Sequence, residues 1–448
     1  MATPATISKL SEDLARFRTT SRKLVEECLE KIEAADGEGA RTFISVDAER
    51  ARTAADACDS LREANIPTGP FAGIPISVKD LCDIEGQVTR SGSRALDDAG
   101  PAETDAEAVA RLRRAGFILI GRTNMTEFAY SGLGLNPHYG TPLCVWDRDA
   151  GRIPGGSSSG AAISVADGMA HAALGSDTGG SCRIPAAFNG LAGFKPTARR
   201  VPLKGTIPLS ATLDSIGPIA HSADCCARLD AILSDQPLHP STANLQGLRI
   251  LVPTTVALDG MQDKVAADFQ AALSKLYAAG AVVSEAPFPE FAEASALLDK
   301  GGFSAAESFA YHRELIQLKA ELYDPRVLMR IRRGSEQSAA DYIGLLKLRR
   351  SVIARAAQRM SGYDVLVMPT VPIVPPLVSE LANDADYTAI NLLVLRNSTF
   401  INLIDGCAIS LPVHEEGTAP VGLTVAGIGG TDARLLAVTA AMEPVVVR

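Results

Sequence analysis

The sequence predicts an α/β protein of three layers, with helices on both faces of a central mixed sheet. Two observations indicate this fold. Helix-like and strand-like patterns alternate along most of the chain, an order that is typical of a parallel or mixed sheet between helical layers. An apolar fraction of 46% in 448 residues also provides enough material for a large buried core.

The pattern marks two helices and one strand clearly in the first part of the chain. Apolar residues recur at every fourth position from Ser21 to Ala35, and an alanine-rich segment follows at 47–64, so both are expected to be helices. Over residues 74–79 aliphatic side chains alternate with others, which predicts a strand. Lys79 lies at the carboxyl end of this strand, on the face opposite to the aliphatic side chains.

A further helix and strand are expected at 105–115 and 117–120. Thr104 and Glu107 have the spacing of a capping box, and Gly116 follows a basic last turn, so both ends of this helix are marked. The apolar run that comes next predicts a buried strand.

The remaining elements continue the alternation. Strands are expected at 248–252, 365–368, 408–411 and 421–426, and helices near 222–233, 263–279, 338–360 and 431–442. A polar, proline-bearing stretch at 234–246 separates two halves, and residues 379–387 are expected to form an acidic polar loop. Since no internal repeat is visible, we expect a single domain over 1–448, with a core region at about 70–220 and a second half at 247–448 that completes the sheet and the substrate pocket.

Composition argues against several classes of partner. A net charge of −9 repels a phosphate backbone, so nucleic acid is not an expected ligand. The eight cysteines contain no C-x-x-C pair and suit buried thiols in a reducing compartment, without disulfides or structural zinc. The first ten residues lack a basic leader with a continuous apolar core, and the most apolar run, 365–378, is interrupted by prolines. We therefore expect a cytoplasmic protein that does not bind membranes.

Two glycine–serine loops within Gly155–Arg183 are the most informative part of the sequence. They flank a segment that is helix-compatible from Ala161, broken at Gly168, and apolar again up to Leu174. A helix of about 8 residues rises about 12 Å, and a strand of about 5 residues returns about 17 Å. The two loops are therefore expected to meet.

Such a meeting suits nucleophilic chemistry, because a serine hydroxyl needs a neighbouring base to take its proton. Ser157 and Ser181 are the candidate serines. Gly179 and Gly180 allow the backbone before Ser181 to turn so that successive N–H groups point at one place. That arrangement is an oxyanion hole in outline.

Three segments together resemble one known family. Lys79 followed by Asp80, the run Gly-Gly-Ser-Ser-Ser-Gly at 155–160, and Asp-Thr-Gly-Gly-Ser-Cys-Arg at 177–183 occur in the order found in the amidase signature family. The spacing between Ser157 and Ser181 also equals that between the two catalytic serines of that family. The resemblance continues downstream and covers nearly the whole chain.

The resemblance implies a Ser-cisSer-Lys triad. In this interpretation Ser181 is the nucleophile, Ser157 is the bridging serine after a cis Gly156–Ser157 peptide bond, and Lys79 is the base. Lys79 must then be neutral at working pH, although a free lysine titrates near pH 10.4. Burial beside the aliphatic residues of its strand is expected to lower its pKa.

The resemblance also implies roles around the triad. The backbone N–H groups of Thr178, Gly179, Gly180 and Ser181 would form the oxyanion hole. Asp177 and Arg183 would hold the loop, through an ion pair between them. Ser158 would contribute a supporting hydrogen bond at most. The family segment that reaches the acyl pocket corresponds here to Phe128 and Tyr130, which suit core aromatic residues equally well.

The expected function is hydrolysis of the C–N bond of a small-molecule amide through an acyl-serine intermediate, with no metal and no cofactor. The family also includes ammonia-donating A-type subunits of glutamine-dependent amidotransferases, which is the main alternative. Residues 156–160 fit the G-x-S-x-G elbow of a Ser-His-Asp hydrolase with Ser158 attacking and His221 or His414 as base, but no strand pattern precedes them. A non-catalytic anion-binding protein is a further alternative. The assembly state is left open, with a homodimer among the options.

Overall fold

Eleven strands of the described chain join in one sheet. The computed structural model describes residues 5–237 and 243–447. The strands are β1 (Phe43–Val46), β2 (Pro75–Lys79), β3 (Ile118–Thr123), β4 (Ala172–Asp177), β5 (Ala192–Lys195), β6 (Ser215–Ala220), β7 (Arg249–Pro253), β8 (Val282–Ala286), β9 (Val365–Pro369), β10 (Cys407–Pro412) and β11 (Gly422–Gly427).

Helices of very different lengths connect the strands. They are α1 (Ile7–Ala15), α2 (Ser21–Glu33), α3 (Gly39–Thr42), α4 (Ala48–Glu63), α5 (Glu107–Arg114), α6 (Ser159–Ala166), α7 (Arg183–Phe188), α8 (Ala223–Ser234), α9 (Asp263–Ala278), α10 (Glu290–Glu293), α11 (Gly302–Lys319), α12 (Pro325–Arg332), α13 (Ala339–Met360), α14 (Asp384–Leu403) and α15 (Asp432–Val446).

The sheet is mixed, as the sequence predicts. Its strand order is β1-β3-β2-β4-β6-β5-β10-β11-β9-β7-β8. β2 runs parallel to β3 and β4, and β7 runs parallel to β8 and β9, whereas the six other pairings are antiparallel. β5 pairs with β10, so strands from the second half of the chain extend the sheet that the first half begins.

Both faces of the sheet are covered by packed side chains. On β9, Val365 and Val367 belong to one buried cluster, while Leu366 and Met368 belong to another. Successive side chains of a strand point to opposite faces. Because neither set is exposed, helices must cover the sheet on both sides, and the predicted three-layer fold is confirmed.

Most of the predicted elements lie within a few residues of their expected bounds. The capping box predicted for α5, however, does not form. The N-cap of α5 is Ala106, whose side chain makes no capping bond. The N–H groups of Ala106 and Glu107 instead donate to the carbonyl oxygens of Asp83 and Lys204 at 2.9 and 3.1 Å. Tertiary contacts thus satisfy the start of α5, and the prediction for Thr104 was wrong.

The predicted loop at 379–387 was also wrong in its second part. α14 begins at Asp384, after the N-cap Asn383, whose side chain accepts a hydrogen bond from the N–H of Asp386 at 2.8 Å. Acidic residues in a first turn stabilise a helix through its dipole, so the charges that suggested a loop favour a helix start. The predicted separating stretch at 234–246 lies partly outside the described residues.

Candidate active site

The site lies where two parallel neighbouring strands end. β2 and β4 pair side by side, with Val78 opposite Leu174. Lys79 is the last residue of β2, and Ser176 and Asp177 are the last residues of β4. Because the carboxyl ends of parallel strands reach the same edge of a sheet, these side chains meet there.

Three serine hydroxyls surround the amine of Lys79. Its Nζ donates to Ser157 Oγ at 2.7 Å, to Ser176 Oγ at 2.8 Å and to Ser158 Oγ at 2.9 Å. The peptide bond between Gly156 and Ser157 is cis, as the resemblance implies. The structure therefore brings Lys79 and Ser157, two of the three predicted catalytic residues, into direct contact.

Burial changes the acid–base properties of this lysine. The Lys79 side chain is fully buried, and desolvation lowers its pKa from 10.5 to about 8, against smaller opposing effects of nearby anionic groups. A buried ammonium loses its hydration, which favours the neutral amine. The neutral amine of Lys79, which can accept a proton, therefore becomes the main form above about pH 8.

Ser158 is held by Lys79 and by the backbone. Its hydroxyl donates to the carbonyl oxygen of Ser176 at 3.3 Å while it accepts from Lys79. Within the described residues, neither His221 nor His414 hydrogen-bonds to Ser158, and desolvation lowers the pKa of both imidazoles. The basic side chain in contact with Ser158 is that of Lys79, which does not fit the alternative mechanism in which Ser158 attacks with a histidine as base.

A buried ion pair fixes the loop that carries Ser181. Arg183 donates to both carboxylate oxygens of Asp177, at 2.9 and 3.0 Å, and to Asn402 Oδ1 at 2.7 Å. Burial raises the pKa of the Asp177 carboxyl, but the charge and hydrogen bonds of Arg183 outweigh that effect and hold this pKa well below its ordinary range. The geometry agrees with the bracing ion pair expected from the sequence.

The same carboxylate organises the backbone of the loop. Asp177 accepts the N–H of Gly180 at 2.8 Å and that of Cys182 at 3.1 Å. Gly180 has a φ of 129°, and a Cβ there would lie 2.5 Å from Ile184 Cδ1 and 2.6 Å from Ser398 Cβ, so only glycine fits. The Gly180 N–H is therefore already bound, which differs from the oxyanion hole of Thr178, Gly179, Gly180 and Ser181 that the resemblance implies.

Ser181 borders a cavity. Within the described chain, no hydrogen bond joins the hydroxyls of Ser181 and Ser157. Ser181, Thr178 and Gly179 instead form part of the wall of a cavity of about 230 Å³. The serine hydroxyl is therefore open to a bound molecule.

The two aromatic residues expected near the substrate differ in their positions. Tyr130 lines the cavity beside Ser131. The ring of Phe128 instead packs against His312 and Tyr323, at centroid distances of 4.2 and 5.2 Å, and is not among the cavity-lining residues of the described chain. Phe128 is thus a core aromatic residue in this structure.

Sequence reasoning missed three residues that shape this site. Ser176 binds Lys79, and its position at the end of a strand next to β2 is a signal that could have found it. Asn402 on α14 binds both Asp177 and Arg183, but nothing local marks it. Asp214 accepts the Thr178 hydroxyl at 2.5 Å, and burial raises its pKa to about 6. Ser176 and Asp214 lie far in sequence from the residues they bind, and Asn402 lies in a helix that carries no recognisable motif.

Residues 5–237 and 243–447 contain no group of three or more histidine, cysteine, aspartate or glutamate side chains that could hold a metal ion. In the same residues, no helix has both the length and the apolar character needed to cross a membrane.

Comparison with known proteins agrees with the fold and the sequence motifs. Residues 23–436 match the family model described as Amidase. The chain is 36% identical over 446 residues to the 2-amino-5-chloromuconic acid deaminase of Comamonas testosteroni, covering 98% of this chain and 96% of the relative. It is 34% identical over 473 residues to the A-type subunit of the glutamyl-tRNA(Gln) amidotransferase of Moorella thermoacetica, with the same coverage of both chains.

A solved structure described as a crystal structure of amidase superposes on this chain with a TM-score of 0.88 and 32% identity, covering 98% of this chain and 99% of that one. The chain therefore belongs to the amidase family and is an amide-hydrolysing enzyme, as the resemblance implies.

Proposed function

We propose that this enzyme hydrolyses the C–N bond of a small-molecule amide on a Ser-cisSer-Lys triad of Ser181, Ser157 and Lys79. One observation carries the proposal: a fully buried lysine with a lowered pKa lies 2.7 Å from Ser157 Oγ, next to the loop that holds Ser181. A neutral lysine is a base, and a serine between it and the nucleophile can relay the proton.

In the first half of the reaction the Ser181 oxygen attacks the amide carbonyl. The Ser181 proton passes to Ser157 Oγ, and the Ser157 proton passes to the neutral amine of Lys79. The N–H groups of Thr178, Gly179 and Ser181 stabilise the negative carbonyl oxygen. Cleavage of the C–N bond returns a proton through Ser157 to the leaving nitrogen and leaves the acyl group on Ser181.

In the second half water takes the place of the amine. It attacks the acyl carbon, gives its proton to Lys79 through Ser157, and releases the acid as Ser181 regains its proton. Both halves need a hydrogen bond between Ser157 and Ser181, so the Ser181 hydroxyl must turn towards Ser157 when substrate is bound. Catalytic hydrogen bonds are often completed only in the substrate complex.

A second candidate function is donation of ammonia within an amidotransferase complex. It is favoured by the similarity to the A-type subunit of the glutamyl-tRNA(Gln) amidotransferase over 98% of this chain. The same triad would serve both functions, because both begin with release of ammonia from an amide. They differ in whether the chain is active without partner chains.

We further propose a cytoplasmic location. All eight cysteines of the chain carry free thiols, and seven of them are buried. Free buried thiols are typical of proteins from reducing compartments.

The test compares three serine variants of the chain purified alone. Ser181→Ala and Ser157→Ala should each lose about 10⁴- to 10⁶-fold in kcat for ammonia release from a panel of small amides. Ser158→Ala should lose only about 5- to 150-fold, because it removes one supporting hydrogen bond. His221→Ala and His414→Ala serve as controls and should retain activity.

Two outcomes would contradict these proposals. An active Ser157→Ala variant, with Ser158→Ala or a histidine variant inactive, would replace the triad by the elbow mechanism. Activity of the wild-type chain only after partner chains are added would favour the amidotransferase function.

A further inference from the structure

The cavity beside Ser181 carries an excess of positive charge. Arg330, Arg333 and Arg396 line it, and within the described residues no aspartate or glutamate does. The remaining wall is neutral and largely apolar, and it includes Leu213, Phe303, Leu395 and Leu403. Because the chain as a whole has a net charge of −9, this positive charge is a local property of the cavity.

The arginine next to the nucleophile in sequence does not contribute to this charge. Arg183 is fully buried and is paired with Asp177, and its remaining contact is with Asn402. An anion in the cavity would therefore have to be bound by the arginines of α12, of the turn after α12, or of α14.

None of the three cavity arginines forms an ion pair with a carboxylate of the described residues. The side chain of Arg333, the residue that follows α12, makes no hydrogen bond or ion pair with any described residue, although its backbone N–H caps the helix. Arg396 on α14 donates only to neutral oxygens, Asn397 Oδ1 at 3.1 Å and the carbonyl of Ala257 at 3.4 Å, and burial lowers its pKa. By contrast, Arg326 on the same helix as Arg330 is paired with Asp384 at 2.8 Å.

Arg330 is fixed in place by other contacts. It donates to the carbonyl oxygen of Tyr130 at 2.8 Å, and its guanidinium lies 4.9 Å from the ring centre of Tyr387. These contacts are neutral, so its charge also remains uncompensated. Arg330 therefore adds a third positive charge to the cavity wall, but its side chain is already engaged by Tyr130 and Tyr387.

Resting on the proposed hydrolase function, we propose that the substrate is an amide that carries a carboxylate, and that Arg333 and Arg396 bind this carboxylate while the scissile carbonyl lies at Ser181. The planar guanidinium fork matches the two oxygens of a carboxylate. A neutral amide of the same shape would displace water from these cations without replacing it by an anion, which is unfavourable. The cavity therefore selects for acidic amides.

The experiment uses amides that differ only in this charge. Succinamate and glutaramate are compared with 4-oxopentanamide and 5-oxohexanamide, in which a methyl ketone replaces the carboxylate. Wild-type kcat/KM for ammonia release should be at least about 10-fold higher for the acidic amide of each pair. Arg333→Gln and Arg396→Gln should each lower kcat/KM for the acidic amides about 10- to 100-fold and change it little for the ketones.

Arg332→Gln is the matched control. Arg332 precedes Arg333 and is exposed, as Arg333 is, but it is not among the cavity-lining residues of the described chain. Its variant loses the same charge from the same segment and should behave as wild type. Equal losses in Arg332→Gln and Arg333→Gln would mean that the charge acts at long range rather than by contact, and would contradict the assignment.

A binding measurement separates this inference from the proposed function. The Ser181→Ala variant is titrated calorimetrically with each amide, and it should bind the acidic member of each pair more tightly, with a loss of about 10-fold or more when Arg333→Gln is added. Preferential binding of the acidic amides without hydrolysis by the wild type would support this inference and contradict the proposed function. Hydrolysis of both members at equal rates would support the function and contradict the inference. Equal affinities, or no binding of either acidic amide, would also contradict the inference.

Discussion

At the scale of single residues, the chemistry depends on which protons the hydroxyls around Lys79 hold. A charged lysine donates a hydrogen bond to each of the three serine oxygens. A neutral lysine donates only two, and its lone pair accepts a hydrogen bond from one of the three serine hydroxyls. The Ser158 hydrogen is directed at the Ser176 carbonyl. The lone pair is therefore left for the hydroxyl of Ser157 or Ser176, and the family resemblance gives the bridging role to Ser157.

This arrangement predicts how activity depends on pH. The Lys79 pKa is lowered to about 8 by burial, so the ammonium form dominates below pH 8 and cannot accept a proton. With a neutral amide as substrate, kcat/KM should rise about tenfold per pH unit on the acidic side and level off above about pH 8. Steady-state kinetics between pH 5.5 and 9.5 measure this, with circular dichroism at each pH to verify folding.

A kcat/KM that is constant from pH 6 to 8, or that falls as pH rises, would exclude a lysine base with this pKa. The Lys79→Ala variant provides the control, because its residual activity should lack the acidic limb.

At the scale of elements, the loop after β4 is held from a distant helix. Asp177 ends β4, Arg183 begins α7, and Asn402 reaches both from the last turn of α14. The loop that carries Ser181 is thus fixed by one carboxylate, one guanidinium and one amide, all buried. Such a network favours a preorganised site, because the N–H groups need not rearrange during the reaction.

Removing the guanidinium should therefore destabilise the fold. Arg183→Met leaves the Asp177 carboxylate buried without its main partner, and the free energy of unfolding should fall by about 3–5 kcal/mol. Urea unfolding followed by circular dichroism measures this change. Arg16→Met is the control, because it breaks an exposed pair with Glu12 on α1 and should change the unfolding free energy by about 1 kcal/mol or less.

A change in Arg183→Met as small as that in Arg16→Met would show that the buried ion pair does not hold the loop. Activity should fall together with stability, since the Ser181 loop loses its support.

At the scale of the whole molecule, the sequence predicts what depends on local pattern. Strand β2, helix α13 and the alternation of elements follow from periodicity, and the return of the chain from Ser157 to Ser181 follows from element lengths. The hydrogen bond from the Ser158 hydroxyl to the Ser176 carbonyl oxygen, at 3.3 Å, agrees with that reasoning, because it joins the first loop to the end of β4 just before the second loop. These features could be predicted because they depend on residues that are close in sequence or that belong to a recognisable motif.

The cavity could not be predicted in the same way. Much of its wall comes from α11, α12 and α14, in addition to the Ser181 loop. The start of α14 was predicted as a loop because acidic residues suit both a loop and a helix N-terminus. Nothing in the sequence around Arg333 and Arg396 distinguishes them from other arginines of the chain. Their shared position is set by the packing of these helices, which no local pattern encodes.

Mass spectrometry of a quenched reaction can show whether Ser181 carries the acyl group. The enzyme is mixed with an activated amide or ester of a substrate acid, quenched in acid within the first turnover, and digested with trypsin. Residues 153–183 form one tryptic peptide that contains Ser157, Ser158 and Ser181, so tandem fragmentation must locate the added mass. We predict that the added acyl mass lies on Ser181 and that the Ser181→Ala variant carries no acyl group. An acyl group on Ser157 or Ser158 of the wild-type enzyme would contradict the assignment of Ser181 as nucleophile.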